Sequence, residues 1–419
     1  MALRIFHSAD WHFGKMMGSI DRTADFEAFI DTFLALVDER RPDILLLAGD
    51  VFDTSLPSNA AQKLYYTLIS RLRETSVRQI VIAAGNHDSQ RFLEAPRALL
   101  ETLHCFIAGD RPEEQILVIR DAQGKPQLGI AAVPYLRESR VRSGSMDFTA
   151  NTRAELFEAG VRAHYDHVWQ LLDEALAGAR VPRIAMGHLF VVGSELRPGV
   201  KRDPQAGQLN VGSINSVSTA AFAQGWDYVA LGHIHHAQVL EAASPMRYAG
   251  SPIALTFNHR KYTHSIVEVT LSEKGELDIV TIPVPQQRAF VHVEGSLAEL
   301  LEQIAEAGRA HADEAPAFVE AVLTSGETEP RLTEILKEAA ERARVLLLSI
   351  RNERAAQAYL REEQALLELA DLTPAEVFRL YMTQEGRETS PETLARYQAL
   401  LSETHQAVLA GRRPDDEEP

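Results

Sequence analysis

The chain has 419 residues, 42 Lys+Arg against 59 Asp+Glu, and a formal net charge of −17. At about 150 residues per domain the length points to two or three domains. An apolar share of 45% with 24% charged residues excludes a disordered or fibrous chain, and the lack of a long apolar run excludes a membrane-spanning helix. The acidity argues against a simple phosphate-backbone binder, but it is unevenly spread: residues 1–285 carry −5 and residues 286–419 carry −12. The single cysteine, Cys105, cannot form an internal disulfide and fits a reducing cytoplasm. Met1-Ala2-Leu3-Arg4 leads straight into a strand pattern, so no signal peptide is expected.

In chain order, the first part alternates strand-like and helix-like segments. Leu3 to Phe6, Ile44 to Leu47, Ile80 to Ala84, Arg183 to Met186 and Tyr228 to Leu231 are short apolar runs of strand length. Between them, Phe26, Phe29, Ile30, Phe33, Leu34 and Val37 fall on one helical stripe. A second stripe from Ala60 to Leu72 follows an N-cap at Ser58, and residues 153–178 form a longer helix candidate. Strands alternating with helices predict an α/β core over residues 1–285.

The pattern changes at Pro283-Val-Pro285. Arg288 to Val293, Ala317 to Thr324 and Val345 to Ile350 read as strands, with helices over Ser296 to Gly308 and Glu329 to Arg344 between them. Ser296 and Glu299 make a capping box. This βαβαβ unit predicts a small α/β capping domain over 286–350. Residues 351–372 read as a helical connector, and residues 373–410 as a pair of short amphipathic helices opened by Thr373-Pro374 and Ser390-Pro391. Two such helices cannot enclose a core, so they are expected to dock on a partner through Phe378, Tyr381, Leu394, Tyr397 and Leu401. The acidic tail 411–419 is expected to be disordered.

Each of the five strand runs in the first part ends in a polar cluster: Asp10-Trp11-His12, Gly49-Asp50, Gly85-Asn86-His87-Asp88, Gly187-His188 and Gly232-His233-Ile234-His235. Ligand sites in open α/β sheets gather beyond the carboxyl ends of the strands, so five such ends can converge on one point. Any one fragment is an ordinary turn in most proteins; five in series, each after an apolar run, are not. Imidazoles mixed with carboxylates favour Mn, Fe, Zn or Co over Ca or Mg. A carboxylate can bridge two such ions about 4 Å apart, where water becomes a nucleophile at neutral pH.

This order of motifs resembles the calcineurin-like metallophosphoesterase superfamily. Within it the chain is similar to the nuclease subunits of bacterial two-subunit exonucleases, whose archaeal and eukaryotic relatives repair DNA breaks with a coiled-coil ATPase. The finer match lies in His7-Ser-Ala-Asp-Trp-His-Phe-Gly14, Gly49-Asp-Val-Phe-Asp53, Gly85-Asn-His-Asp-Ser89, Tyr228 to His235 and Tyr248-Ala-Gly-Ser-Pro252. The resemblance implies a four-layer α/β/β/α sandwich with the capping domain and helix pair after it. It implies two divalent ions, Mn2+ in this branch. One ion takes Asp10, His12, Asp50 and His235; the other takes Asp50, Asn86, His188 and His233, with Asp50 as the bridge. His87 is left to protonate the leaving 3′-oxygen or to stabilise the transition state. Asp53, where archaeal relatives carry histidine, is expected to orient His87 through its carboxylate. The resemblance also implies DNA as substrate, an ATPase partner and a nuclease homodimer within a heterotetramer.

DNA requires nearby cations: Arg137, Arg140 and Arg142 form one candidate loop, Arg197, Lys201 and Arg202 another, and Arg260 with Lys261 a third. Trp11 and Phe13 are expected to pack, and His7 to lie in the core. No Gly-x4-Gly-Lys-Ser/Thr loop is present to bind ATP. Two other readings remain open: a nucleotidase or cyclic-nucleotide phosphodiesterase of the same superfamily, and a noncatalytic DNA-end adaptor.

Overall fold

The computed structural model describes residues 2–142, 153–191, 216–272, 276–325 and 329–352, together with Phe378, Met382, Thr393, Leu394, Arg396 and Tyr397. Strands β1 (Leu3–Ser8), β2 (Ile44–Ala48), β3 (Gln79–Ala83) and β4 (Cys105–Ile107) open the chain. Then come β5 (Ile116–Arg120), β6 (Pro126–Ala132), β7 (Arg183–His188), β8 (Phe190–Val191), β9 (Ser216–Val217) and β10 (Tyr228–Gly232). The series continues with β11 (Gln238–Leu240), β12 (Met246–Tyr248), β13 (Ser265–Leu271) and β14 (Leu277–Pro283). Last are β15 (Phe290–Gly295), β16 (Phe318–Leu323) and β17 (Leu346–Asn352).

Two six-stranded sheets carry the first part, in the orders β14-β13-β1-β2-β3-β4 and β11-β12-β10-β7-β6-β5. In the first, β1 to β4 run parallel while β13 and β14 close one edge antiparallel. In the second, β6, β7, β10 and β12 run parallel, flanked by antiparallel β5 and β11. Period-two alternation explains how the sheets pack. On β2, Ile44, Leu46 and Ala48 join Ile130, Ala132, Ile184, Met186 and Ala230 of the other sheet in one core. Leu45 and Leu47 point the other way, against the helices Thr23–Arg40 and Asn59–Leu72. The outer face of the second sheet packs on the helix Arg153–Leu176 through Val161, Tyr165, Val168 and Leu172. The result is the four-layer α/β/β/α sandwich implied by the motifs.

Ser58 caps the helix Asn59–Leu72, its Oγ accepting from the Ala61 N–H at 3.2 Å. Trp11 and Phe13 are 1% exposed and pack edge-on with each other and with Phe29, Phe33 and Phe26. They anchor the first ligand loop from beneath and cannot reach a ligand. His7 is buried between the sheets, its Nδ1 2.9 Å from the Tyr228 hydroxyl.

The last three strands form a separate sheet, β15-β16-β17. The helices between them are Leu297–Ala310, opened by the Ser296–Glu299 capping box, and Leu332–Ala343. Two compact units divide the chain: Met1–Val291 with Gly308–Phe318 and Arg344–Leu348, and His292–Ala307 with Val319–Ala343 and Ser349–Pro419. In the second unit, buried Glu320 takes His292 Nδ1 at 3.0 Å and pairs with Arg351. Phe378, Leu394 and Tyr397 are helical and half-buried; the Phe378 and Tyr397 rings stack at 4.1 Å between centroids. Tyr381 and Leu401 lie outside the described residues. Among the described residues no helix is long and apolar enough to cross a membrane.

Candidate metal centre

The loops leaving β1, β2, β3, β7 and β10 bring their polar clusters to one place, as the motif order predicts. Two backbone features make the approach possible. Asp10, His12, Asp50 and His233 all have positive φ, at 55°, 49°, 50° and 97°. Non-glycine residues held there are strained, and such strain persists where the surrounding structure over-determines it. The glycines supply clearance: a Cβ on Gly49 would collide with the His188 ring, and one on Gly85 with the Asp50 carboxylate. The alternation of Gly with ligand is therefore steric in origin.

Asp50 lies at the centre. Its Oδ2 is 3.2 Å from His188 Nε2 and 3.5 Å from His12 Nε2, and its Oδ1 accepts from the His87 backbone N–H at 2.9 Å. To one side, His12 Nε2 and His235 Nε2 face each other at 3.2 Å. To the other, Asn86 Oδ1 lies 3.0 Å from His188 Nε2 and 2.9 Å from His233 Nδ1. Asp10 accepts from the His233 backbone N–H through both oxygens, at 3.0 and 3.1 Å. Asp10 belongs to two clusters of ligand atoms, one with His12 and His235, the other with Asp50 and His188. Thus all seven side chains expected to bind metal come together.

The second ring nitrogens show that this donor set fits divalent cations. His188 Nδ1 donates to the Ala48 carbonyl at 2.8 Å, and His12 Nδ1 lies 3.2 Å from Asp53 Oδ1. Each partner occupies Nδ1 and leaves Nε2 as the nitrogen turned inward, available to a cation once its proton is displaced. Asp10, His12, Asp50 and His188 are all buried. Burial pushes the Asp10 carboxyl up to about 7. Burial also opposes charge on Asp50, but neighbouring His188 and His12 hold that carboxyl well below the usual range. His188, despite burial, is pushed up to about 9 by Asp50 and Asp10. Burial, with cationic His188 and His12 nearby, holds His233 and His235 neutral, His233 at about 3. A nest of carboxylates and imidazoles, some carrying protons that a cation would displace, is a metal site by its chemistry.

Asp53 differs from expectation. Its carboxylate meets His12 Nδ1 and Lys15 Nζ, the latter at 3.1 Å. The His87 Nδ1–H donates at 2.8 Å to the Asp53 backbone carbonyl instead. The side chain of Asp53 therefore supports a ligand, while its main chain orients His87. A backbone acceptor leaves no trace in residue identity, which is why the sequence pointed to the wrong atom.

Asp88, quoted in the motif without a role, is buried and accepts backbone N–H bonds from Gly85, Val51 and Phe52 at 2.8, 3.1 and 2.9 Å. It ties the loops after β2 and β3 together; Asp in a turn often serves this way. Tyr135 adds a ring 6.4 Å from those of His188 and His233. Of the basic residues, Arg137 is exposed at the start of the helix Glu138–Arg142. That helix contains Arg140 and Arg142, whose side chains lie outside those described, as do Lys201 and Arg202 entirely.

Comparisons with known proteins agree with this geometry. Residues 3–237 match the family model described as Calcineurin-like phosphoesterase, and residues 286–386 match one described as Type 5 capsule protein repressor C-terminal domain. The SbcD chain of the SbcCD nuclease from Rhodobacter capsulatus is 30% identical over 318 residues, 71% of this chain and 74% of the relative. Its counterpart from Escherichia coli K12 is 29% identical over 408 residues, 96% of this chain and 98% of the relative. That of Bacillus subtilis is 29% identical over 269 residues, 64% of this chain and 66% of the relative.

The chain belongs to the SbcD family of calcineurin-like phosphoesterases. Family membership gives it phosphoesterase chemistry with two divalent ions, and the donor set of this centre suits both.

Proposed function

We propose that the chain is the nuclease component of an SbcCD-type complex. It hydrolyses DNA phosphodiester bonds with two Mn2+ ions and works with an SbcC-like coiled-coil ATPase. The observation that carries this reading is the convergence of seven ligand side chains, with Asp50 at their centre and half-buried His87 beside them. When bound, the two ions screen the phosphate charge and supply activated water at neutral pH.

His12, His235, Asp10 and Asp50 would hold one ion, and Asp50, Asn86, His188 and His233 the other. Asp50 would serve both ions, and Asp53 and the Ala48 carbonyl hold His12 and His188 in register. His87, with Nδ1 bonded to the Asp53 carbonyl, presents Nε2 as the proton donor to the leaving 3′-oxygen, which leaves a 5′-phosphate. The activities are 3′–5′ exonuclease on double strands and endonuclease on hairpins or single strands. Arg137, Arg140, Arg142, Lys201 and Arg202 meet the DNA backbone. The helix pair over 373–410 docks on the ATPase through Phe378, Tyr381, Leu394, Tyr397 and Leu401, and the chain forms a homodimer within a heterotetramer at the cytoplasmic nucleoid.

The charge supports a division of labour. Two divalent ions bring the −5 of residues 1–285 to about −1, so the phosphate is drawn to the metals while the duplex is gripped by the partner. The test is a Mn2+-supplemented assay on hairpin and linear duplex DNA, with and without the ATPase and ATP, beside mononucleotide and cyclic-nucleotide substrates. Cleavage of DNA, stimulated by the ATPase, is expected. Hydrolysis of nucleotides with DNA left intact would make the chain a nucleotide phosphoesterase instead.

A further inference from the structure

We infer that Lys15 is a DNA-phosphate contact held in reserve on Asp53, next to the metal centre. The inference rests on the nuclease reading and names a substrate contact within it. Lys15 closes the sequence His12-Phe13-Gly14-Lys15. Gly14 has φ +90°, and the Lys15 N–H donates to the His12 carbonyl at 2.9 Å. This turn brings the lysine back beside a metal ligand. The loops after β1 and β2 are zipped together here: the Phe13 N–H donates to Val51 O at 2.9 Å, and the Asp53 N–H to Phe13 O at 3.2 Å. Lys15 and Asp53 therefore face each other from fixed backbones.

Their pairing is easily exchanged. Lys15 Nζ and His12 Nδ1 approach the same oxygen, Asp53 Oδ1, at 3.1 and 3.2 Å. When the lysine departs, Asp53 keeps its bond to His12. The lysine side chain is 29% exposed and that of Asp53 19%, so the ammonium lies at the rim of the centre, within reach of an arriving phosphate. A phosphodiester arriving at the metals offers two oxygens bearing negative charge, and a flexible ammonium is a natural point-charge partner for it. Parking on Asp53 keeps that ammonium at the site, and it lowers the charge that the carboxylates present to an incoming phosphate.

The experiment compares the full chain with Lys15→Gln and Lys15→Arg. Cleavage of a 3′-labelled duplex is followed in Mn2+ over a range of salt, alongside a Mn2+-binding titration. For Lys15→Gln, KM for DNA is expected to rise about tenfold with kcat nearly kept. The slope of log KM against log salt should fall by about one. Mn2+ binding should stay unchanged, and Lys15→Arg should restore most of the loss. An unchanged KM and salt slope in Lys15→Gln overturns the inference, as does weakened Mn2+ binding, which would make Lys15 a clip for Asp53. A wild-type chain inert on DNA would instead contradict the nuclease reading itself.

Discussion

The two halves of the metal centre hold their imidazoles by different means. His12 is backed by a side chain, the Asp53 carboxylate, whereas His188 is backed by a main-chain group, the Ala48 carbonyl. A carboxylate raises the basicity of the ring it holds and belongs to one codon. A carbonyl fixes the tautomer without adding charge, and no substitution removes it. The half with His12 and His235 is therefore open to tuning by mutation. In the half with Asn86, His188 and His233, the support of His188 is built into the backbone of β2.

The largest expected effect destroys the comparison by removing what both halves share. Asp50→Asn leaves the His12 and His188 rings facing an amide, and cleavage should fall below about a thousandth of wild type, with the loss of bound Mn2+ read by elemental analysis. Next, His87→Gln should lower kcat by about a hundredfold or more while both ions stay bound, because the ligand sets proposed for the two ions do not include His87. Full metal content with unimpaired turnover would refute its role as acid.

Asp53→Asn sharpens the contrast directly. It should weaken binding of one Mn2+ by about ten- to a hundredfold and leave the other untouched, giving a two-phase titration where wild type gives one. His87 should be unaffected, since its partner is the Asp53 carbonyl. Equal weakening of both ions would show that the halves are not independent.

The pH dependence follows from protons that the metals displace. In the metal-free protein, His188 is pushed up to about 9 and Asp10 up to about 7. At pH 6 both hold protons; at pH 8 Asp10 has mostly lost its own and His188 begins to. Competition thus weakens as pH rises, and Mn2+ affinity should increase from pH 6 to 8, with proton release on loading measured by calorimetry in buffers of different ionisation enthalpy. Affinity independent of pH would mean that the metal-free centre carries no displaceable proton. The smallest effect is expected for Ala48→Gly, which keeps the carbonyl. It should cost about 0.5–1 kcal/mol of stability in a denaturation curve and leave metal binding alone.

Much of this centre was legible because its ligands are set off by contrast: each polar cluster interrupts a run that is otherwise apolar and buried, as Leu45-Leu46-Leu47-Ala48 is before Gly49-Asp50. The capping sheet was legible for a similar reason, since β15 to β17 alternate with two strongly amphipathic helices. The edges of the main sheets were not. β11 is three residues long, and β5 is half-exposed along its length, so neither period nor burial marks them. The atoms that orient His87 and His188 were hidden as well, because both belong to the main chain. Asp88 could have been found, since an aspartate closing Gly85-Asn-His lies where loop N–H groups need an acceptor.

The proposed chemistry turns on Asp50 holding two ions at once. Electron paramagnetic resonance of the Mn2+-loaded chain tests this most directly, since two Mn2+ about 4 Å apart are magnetically coupled. An exchange-coupled spectrum at two Mn2+ per chain, lost in Asp50→Asn, is the predicted result. A six-line spectrum of isolated Mn2+ at full loading of the wild-type chain would contradict it.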